Sequence, residues 1–397
     1  MPRTADLALM GGPIPGWLFR RMKTLSRAIV EAILIEQGRE GFLRRLSDPF
    51  WFQSFGAVIG MDWNSSGVTT AVMRALKSSL NPHAKELGLY VCGGKGKESL
   101  KTPSELLRVG ERTGIDGDLL ARSSKLSAKV DNTAVQDGHQ LYVHNFVVSE
   151  DGDWCVIQQG MDPANRSARR YHWHSEGLDS YIKSPHAAIC GDHQGEILNL
   201  ADRRAEPAHG HILDLSRERV TTTLREVVHM NLPKHYGVKA GDVDLKRLGT
   251  VLALSQEQGV EQFEELLLLK GLGPKTLRSL ALVSEVIHGD PVRFSDPARF
   301  SFAHGGKGAK PFPILQTVYD ETIATLRDAV DQAKIGESDK QKALAALTRR
   351  AQKAEETFTP SDYFDELVDQ ENADAWKHGG RTLDGPVQPP SGQLELF

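Results

Sequence analysis

From Pro15 onward, apolar residues recur at the three-and-four spacing of an amphipathic helix: Leu18, Met22, Leu25, Ile29, Ala32 and Ile33 share one side. The period returns over Phe42–Leu46 and over Val68–Leu80, the latter preceded by Asn64-Ser65-Ser66 as a cap. A mainly helical region is therefore predicted over residues 1–124. The period then falls to two. Gln140–Val148 and Trp154–Gln158 are rich in β-branched and aromatic residues and flank Glu150-Asp151-Gly152-Asp153, which predicts a hairpin turned by Asp-Gly. Tyr171-His172-Trp173-His174 alternates as a further strand, giving a mixed α/β region over 125–212. Helical spacing resumes over Val220–Met230, Asp244–Leu254 and Gln262–Ile287, within a segment 213–335. Asp331–Lys353 reads as a polar helix leading into a tail, 336–397, whose Gly379–Gly392 stretch has linker composition. The expected fold class is α+β, with a small sheet between helical parts.

Composition alters this picture in two ways. The three cysteines, Cys92, Cys155 and Cys190, are odd in number and scattered, which fits neither a disulfide framework nor a paired zinc site. With no apolar run of membrane-spanning length, and with Met1–Asp6 leading into a segment broken by Gly11, Gly12, Pro13, Pro15 and Gly16 rather than an export-type apolar core, the expectation is a cytoplasmic, nucleoid-associated protein without a membrane partner. The net charge of −4 hides an asymmetry: from Ala354 onward there are ten acidic residues against Lys377 and Arg381, so residues 1–353 carry +4. A mildly basic body with an acidic tail is compatible with a nucleic-acid partner.

The most informative string is Leu266-Leu267-Leu268-Leu269-Lys270-Gly271-Leu272-Gly273-Pro274-Lys275-Thr276-Leu277. An apolar helix ends, Gly-Leu-Gly turns, and Pro274 opens the next helix with φ already set. Glycines clear the way for a phosphate to reach backbone N–H groups at the helix start, with Leu272 plugging the core between the helices. The string resembles the helix-hairpin-helix element, which implies non-sequence-specific contact with double-stranded DNA through Gly271, Leu272, Gly273 and Thr276. Lys95 and Lys307, in two Gly-Gly-Lys-Gly strings, are further candidate phosphate contacts. In base-excision DNA glycosylases of this type, a lysine follows the hairpin and a catalytic aspartate, which accepts the amine proton, lies beyond a Gly-x-Pro stretch. The resemblance puts Lys275 and Asp296 in those places, the latter after Gly289-Asp290-Pro291. It implies a DNA-repair enzyme, a glycosylase/AP lyase needing no cofactor, in which the Lys275 amine attacks C1′ of a flipped-out nucleotide.

Two other readings stay open. Asp131, Asp137, His139, His144, His172, His174 and His186 crowd the mixed region. Asp131, Asp137 and His144 would serve a nuclease using Mg or Mn. A non-catalytic DNA-binding adaptor is the third.

Several strings are distinctive as a set: Asp48-Pro49-Phe50-Trp51-Phe52, Asn64-Ser65-Ser66-Gly67-Val68-Thr69-Thr70, Val135-Gln136-Asp137-Gly138, Gln158-Gln159-Gly160-Met161 and Phe302-Ala303-His304-Gly305-Gly306-Lys307. They resemble an uncharacterised prokaryotic family, domain of unknown function 763, over about residues 1–335. The resemblance implies an association with DNA transactions. The chain ends in Gln393-Leu394-Glu395-Leu396-Phe397, similar to the pentapeptide by which bacterial repair and replication proteins dock on the sliding clamp. Gln393 would hydrogen-bond at one end of the clamp groove while Leu394, Leu396 and Phe397 fill an apolar pocket. The Gly/Pro-rich stretch before them supplies reach.

Overall fold

The computed structural model describes residues 14, 16–61, 67–162, 164, 167–218, 245–298, 316–357, 381–382 and 385–386. The Asn64–Ser66 cap, the Val220–Met230 helix, the Phe302–Lys307 string with Lys307, most of the Gly379–Gly392 linker and the C-terminal pentapeptide lie outside them. The chain divides into two compact units, Met1–Arg350 and Ala351–Phe397.

In the first unit, α1 (Gly16–Ser47) carries the first predicted apolar stripe. It runs on through Phe42–Leu46 across a break at Gly38, whose φ of 71° is open to glycine at little cost. The helix α2 (Pro49–Val58) starts where Asp48 accepts from Trp51 N–H at 2.6 Å and Pro49 fills the first position. After α3 (Gly67–Leu80) and the single turn α4 (Ala84–Leu87), the chain enters strand β1 (Leu89–Lys95). Helices α5 (Thr102–Thr113) and α6 (Gly117–Lys129) form an antiparallel pair, packed closely because Gly110 and Gly117 face each other. A π-turn, Val130–Ala134, leads into β2 (Val135–Gln136).

The predicted hairpin is β3 (Gln140–Ser149) and β4 (Trp154–Asp162), antiparallel with Phe146 opposite Val156. Next come β5 (Ser167–His174) and β6 (Ala188–Cys190), and β1 closes the other edge in the order β1-β3-β4-β5-β6. A second sheet has the order β2-β7-β8, with β7 (Glu196–Asn199) central and β8 (Arg293–Ser295) on the far side. The remaining helices are α7 (Glu206–Arg217), α8 (Leu245–Gln258), α9 (Phe263–Leu268), α10 (Pro274–His288), α11 (Gln316–Gln332) and α12 (Glu337–Thr357). The class is mixed α and β with antiparallel sheets, as the changing period predicts. In the second unit, Arg381–Thr382 and Gly385–Pro386 pair as two short strands.

The larger sheet is covered on both faces, so its strands are buried over most of their length, with Gln140 at the start of β3 exposed. One face (Phe146, Val148, Trp154, Val156, Tyr171 and Trp173) shares a core with α5 to α10. The other (Val91, Val147, Cys155 and Ile157) shares a core with α1 to α3, and also with Leu326, Val330 and Leu347 of α11 and α12. The segments 1–124, 125–212 and 213–335 thus contribute jointly to both cores.

The Gly93-Gly94-Lys95 string departs from a plain loop. It is the end of β1, paired with Asn145, His144 and Val143. A Cβ on Gly93 would stand 2.2 Å from the His144 carbonyl oxygen, so this glycine is required by close strand approach.

Candidate functional site

The helix-loop-helix segment forms as predicted. Helix α9 opens with a capping box between Gln262 and Glu265. The turn passes through Gly271 at φ 93°, and Leu272 is buried at 2% exposure. Pro274 opens α10, and Gly273 in front of it offers no side-chain cap. The Gly273, Lys275 and Thr276 N–H groups have no acceptor among the described residues. Lys275 is exposed, while Thr276 is buried. The carbonyls of the turn are engaged instead. Lys129 Nζ donates to Leu272 O at 2.7 Å, and Gln136 Nε2 donates to Pro274 O at 2.9 Å. Arg278 Nε donates back to Gln136 Oε1 at 2.7 Å. Residues from the end of α6 and from β2 thus fasten the turn by its carbonyl side.

One residue beyond Gln136, Asp137 enters a buried polar cluster that the sequence candidates only outline. Arg169, on β5, is its centre. Arg169 Nη1 donates to Asp296 Oδ1 at 2.9 Å and to Asp137 Oδ2 at 3.1 Å, while Nη2 donates to Asp296 Oδ2 and to the Asp192 carbonyl. Tyr171 donates its hydroxyl to Asp137 at 2.6 Å, and His139 N–H donates to Asp137 at 2.9 Å. Asp296 also accepts from the N–H groups of Gln194 (2.9 Å) and Ala298 (3.0 Å). The three ionic side chains are at most 1% exposed. Burial raises the Asp137 carboxyl, but His139, the Arg169 charge and Tyr171 outweigh it and leave it below the ordinary value. Burial likewise opposes the Arg169 charge, and the two carboxylates overcome it, raising its pKa.

Beside this clasp, Asp131 accepts from Gln158 Nε2 at 2.6 Å, from Trp173 Nε1 at 3.0 Å and from His186. Its pKa is raised by complete burial. His144 lies with Nε2 2.7 Å from Ser124 Oγ, and it stands opposite Gln158 across the β3–β4 pair. Burial pushes His144 down to about 4.

The candidate residues fall into three groups. Gly271, Leu272, Gly273, Lys275 and Thr276 are brought together on the hairpin. Asp296 is close-packed against Arg169, and among the described residues no hydrogen bond or ion pair joins it to Lys275. Asp131 and Asp137 spend their oxygens on protein donors, and no three His, Cys, Asp or Glu side chains among the described residues group as a metal site would require. Lys95 is exposed with its ammonium 5.7 Å from the Tyr142 ring centroid. No described helix is long and apolar enough to cross a membrane.

Sequence reasoning missed Arg169, Lys129 and Gln136. Arg169-Arg170 stands inside an alternating strand run, a signal that two guanidinium groups are buried and need acceptors. That signal would have drawn Asp137 and Asp296 to one partner.

No curated protein and no solved structure matches this chain. The model of the family described as "Protein of unknown function (DUF763)" matches residues 3–314, and the chain belongs to that family.

Proposed function

We propose that this protein grips duplex DNA through the 271–276 hairpin and acts on damaged sites in it. The observation that carries the reading is the combination at the start of α10. Among the described residues three N–H groups are without acceptors, the carbonyls of Leu272 and Pro274 are held by Lys129 and Gln136, and Lys275 is exposed beside them. Such a helix start presents positive charge and donors to a phosphate. The reaction we assign is that of a glycosylase/AP lyase. The Lys275 amine adds to C1′ of a flipped-out nucleotide, the damaged base leaves, and the resulting Schiff base permits strand cleavage by β-elimination. In this scheme Asp296, held by Arg169, acts as a positioning residue that fixes the chain after β8.

The test is incubation with duplexes bearing single lesions, followed by borohydride reduction. The expected result is protein covalently trapped on one class of lesion, lost in Lys275→Ala. Cleavage that needs Mg²⁺ or Mn²⁺ and survives Lys275→Ala would replace the lyase with a nuclease. Lesion binding without any cleavage would leave an adaptor. The terminal Gln393-Leu394-Glu395-Leu396-Phe397 is proposed as the peptide that recruits the protein to the sliding clamp.

A further inference from the structure

We infer that the first turns of α1 carry a second nucleic-acid surface, a stacking platform for single-stranded DNA. The exposed Trp17 ring takes a base, and Arg20, Lys23 and Arg74 take the flanking phosphates. The platform stands on α1 and α3, and the choice of DNA as its polymer rests on the duplex reading above.

The placement follows from the helix. Met22, Leu25, Ser26, Ile29 and Val30 are buried and fix which side of α1 faces the core. At about 100° of turn per residue, the opposite side carries, in angular order, Phe19, Lys23, Arg27, Arg20, Thr24 and Trp17. Trp17 is 62% exposed, Arg20 and Arg74 are exposed, and Lys23 is half-buried. Arg74 comes from α3 and joins the row through Phe19: its guanidinium carbon lies 4.7 Å from the centroid of that ring, and Lys23 Nζ lies 5.9 Å from it. One ring thus gathers a cation from each helix. From Trp17 to Lys23 the row covers ~9 Å of helix axis.

Charge and aromaticity together name the partner. Gly16–Arg27 contains Arg20, Arg21, Lys23 and Arg27 and no acid, although the whole chain is at −4. Basic residues near a helix start, with no acid in the first turn, reverse the order that the helix dipole favours. The bordering cations are engaged: Arg27 with Glu31 and His83, and Arg21 with Asp339 of α12 at 3.6 Å. The side chains of Arg20, Lys23 and Arg74 have no hydrogen bond or ion pair among the described residues. Cations alone suit any polyanion. Trp17 narrows the choice, because an indole held in water inside a basic field offers a π-face on which an unpaired base can stack. The bases of a duplex are already stacked on one another, and an acidic peptide needs only the cations. Helix α1 shares its core with one face of the larger sheet, and α9 and α10 share theirs with the other. The platform is therefore a surface separate from the hairpin.

The experiment uses the full chain and a fluorescent oligothymidylate of about 20 nucleotides, titrated by anisotropy between about 50 and 200 mM salt. Trp17→Ala should weaken binding roughly 5- to 150-fold, the loss of one stacked base. Trp17→Phe should recover most of that affinity, yet lose the quenching of tryptophan fluorescence that the unlabelled strand causes in the wild type. Because Trp17 is exposed, both variants should keep the wild-type urea midpoint. Arg20→Gln, Lys23→Gln and Arg74→Gln together should lower the slope of log K against log salt by about 2. The Gly271→Leu, Gly273→Leu double variant runs beside them and should lose duplex binding while keeping the single strand. If the wild-type chain does not bind the oligothymidylate, or Trp17→Ala binds it like wild type, the platform is wrong. Tighter binding of the matching oligouridylate would put RNA in its place, and equal displacement by polyglutamate of matched charge would put an acidic protein there. Either result overturns the proposal. If instead the glycine variant binds duplex like wild type, the hairpin reading falls, and the platform stands on its own losses in Trp17→Ala.

Discussion

Replacing Arg169 with leucine should cost about 3–5 kcal/mol of folding stability, the range for removing one partner from a buried ion pair. Three observations set the expectation. Arg169 and its two carboxylates are almost wholly withdrawn from water, with the charged atoms about 3 Å apart. Leucine fills much of the space and leaves two negative side chains buried together. Partial compensation remains: Asp137 keeps the Tyr171 hydroxyl and the His139 N–H, and Asp296 keeps two backbone donors. That keeps the cost near the stated range, against a typical total of roughly 5–15 kcal/mol. Urea denaturation at pH 7.5 followed by tryptophan fluorescence would measure it, as a shift in midpoint at constant slope. Neutralising the stranded acids, Asp137→Asn with Asp296→Asn on top of Arg169→Leu, should recover part of the loss. The pH dependence has a definite sign. In the wild type the Asp137 carboxyl titrates below its ordinary value, so its contribution is present above about pH 4 and lost as pH falls through the folded value. In Arg169→Leu the Asp137 carboxyl loses the cation that lowers it and its folded pKa rises, so the penalty shrinks as pH is lowered. A cost under about 1 kcal/mol, or no recovery in the triple variant, would refute the clasp as a structural necessity.

Acid should also weaken the fold above the carboxylate range. Burial holds His144 and His209 down at about 4, and burial, followed by the Arg170 charge, holds His172 well below its usual value. The unfolded chain protonates all three near pH 6.5, so stability is lost as pH falls below that point, by up to about 4 kcal/mol per pH unit for three protons. A flat urea midpoint between pH 6.5 and 5 would contradict this. At the other end of the chain, a synthetic peptide of the last ten residues should bind the host's sliding clamp at about micromolar affinity. Replacing Leu396 and Phe397 by alanine should abolish that binding, and a wild-type peptide silent at high concentration would end the assignment.

Local features were legible in the sequence because their causes are local. The β3–β4 hairpin follows from alternation around Asp-Gly, α1 and α3 from apolar stripes, and the α9–α10 turn from Gly-Leu-Gly-Pro. What escaped was set by distant partners. β1 was hidden because Gly93-Gly94 breaks the alternation, and only the nearness of the His144 carbonyl explains Gly93. Arg169 lies 127 positions before Asp296, and Lys129 lies 143 before Leu272, separations at which no spacing rule operates. Asp131, Asp137 and Asp296 were noticed as acids, yet whether an acid is chemistry or architecture depends on the donors around it. Here those donors are Arg169, Tyr171, Trp173, Gln158 and His186.

The packing of α1 with α11 bears on how the protein is made. Met22, Leu25 and Ile29 emerge early from a ribosome, whereas Leu326, Val330 and Leu347, members of the same core, come roughly 300 residues later. At about 5–20 residues per second, that apolar face waits on the order of 15–60 s for its cover. The family match stops at residue 314, short of those helices. A nascent chain stalled there would leave the apolar face of α1 without the cover that Leu326, Val330 and Leu347 supply in the finished fold.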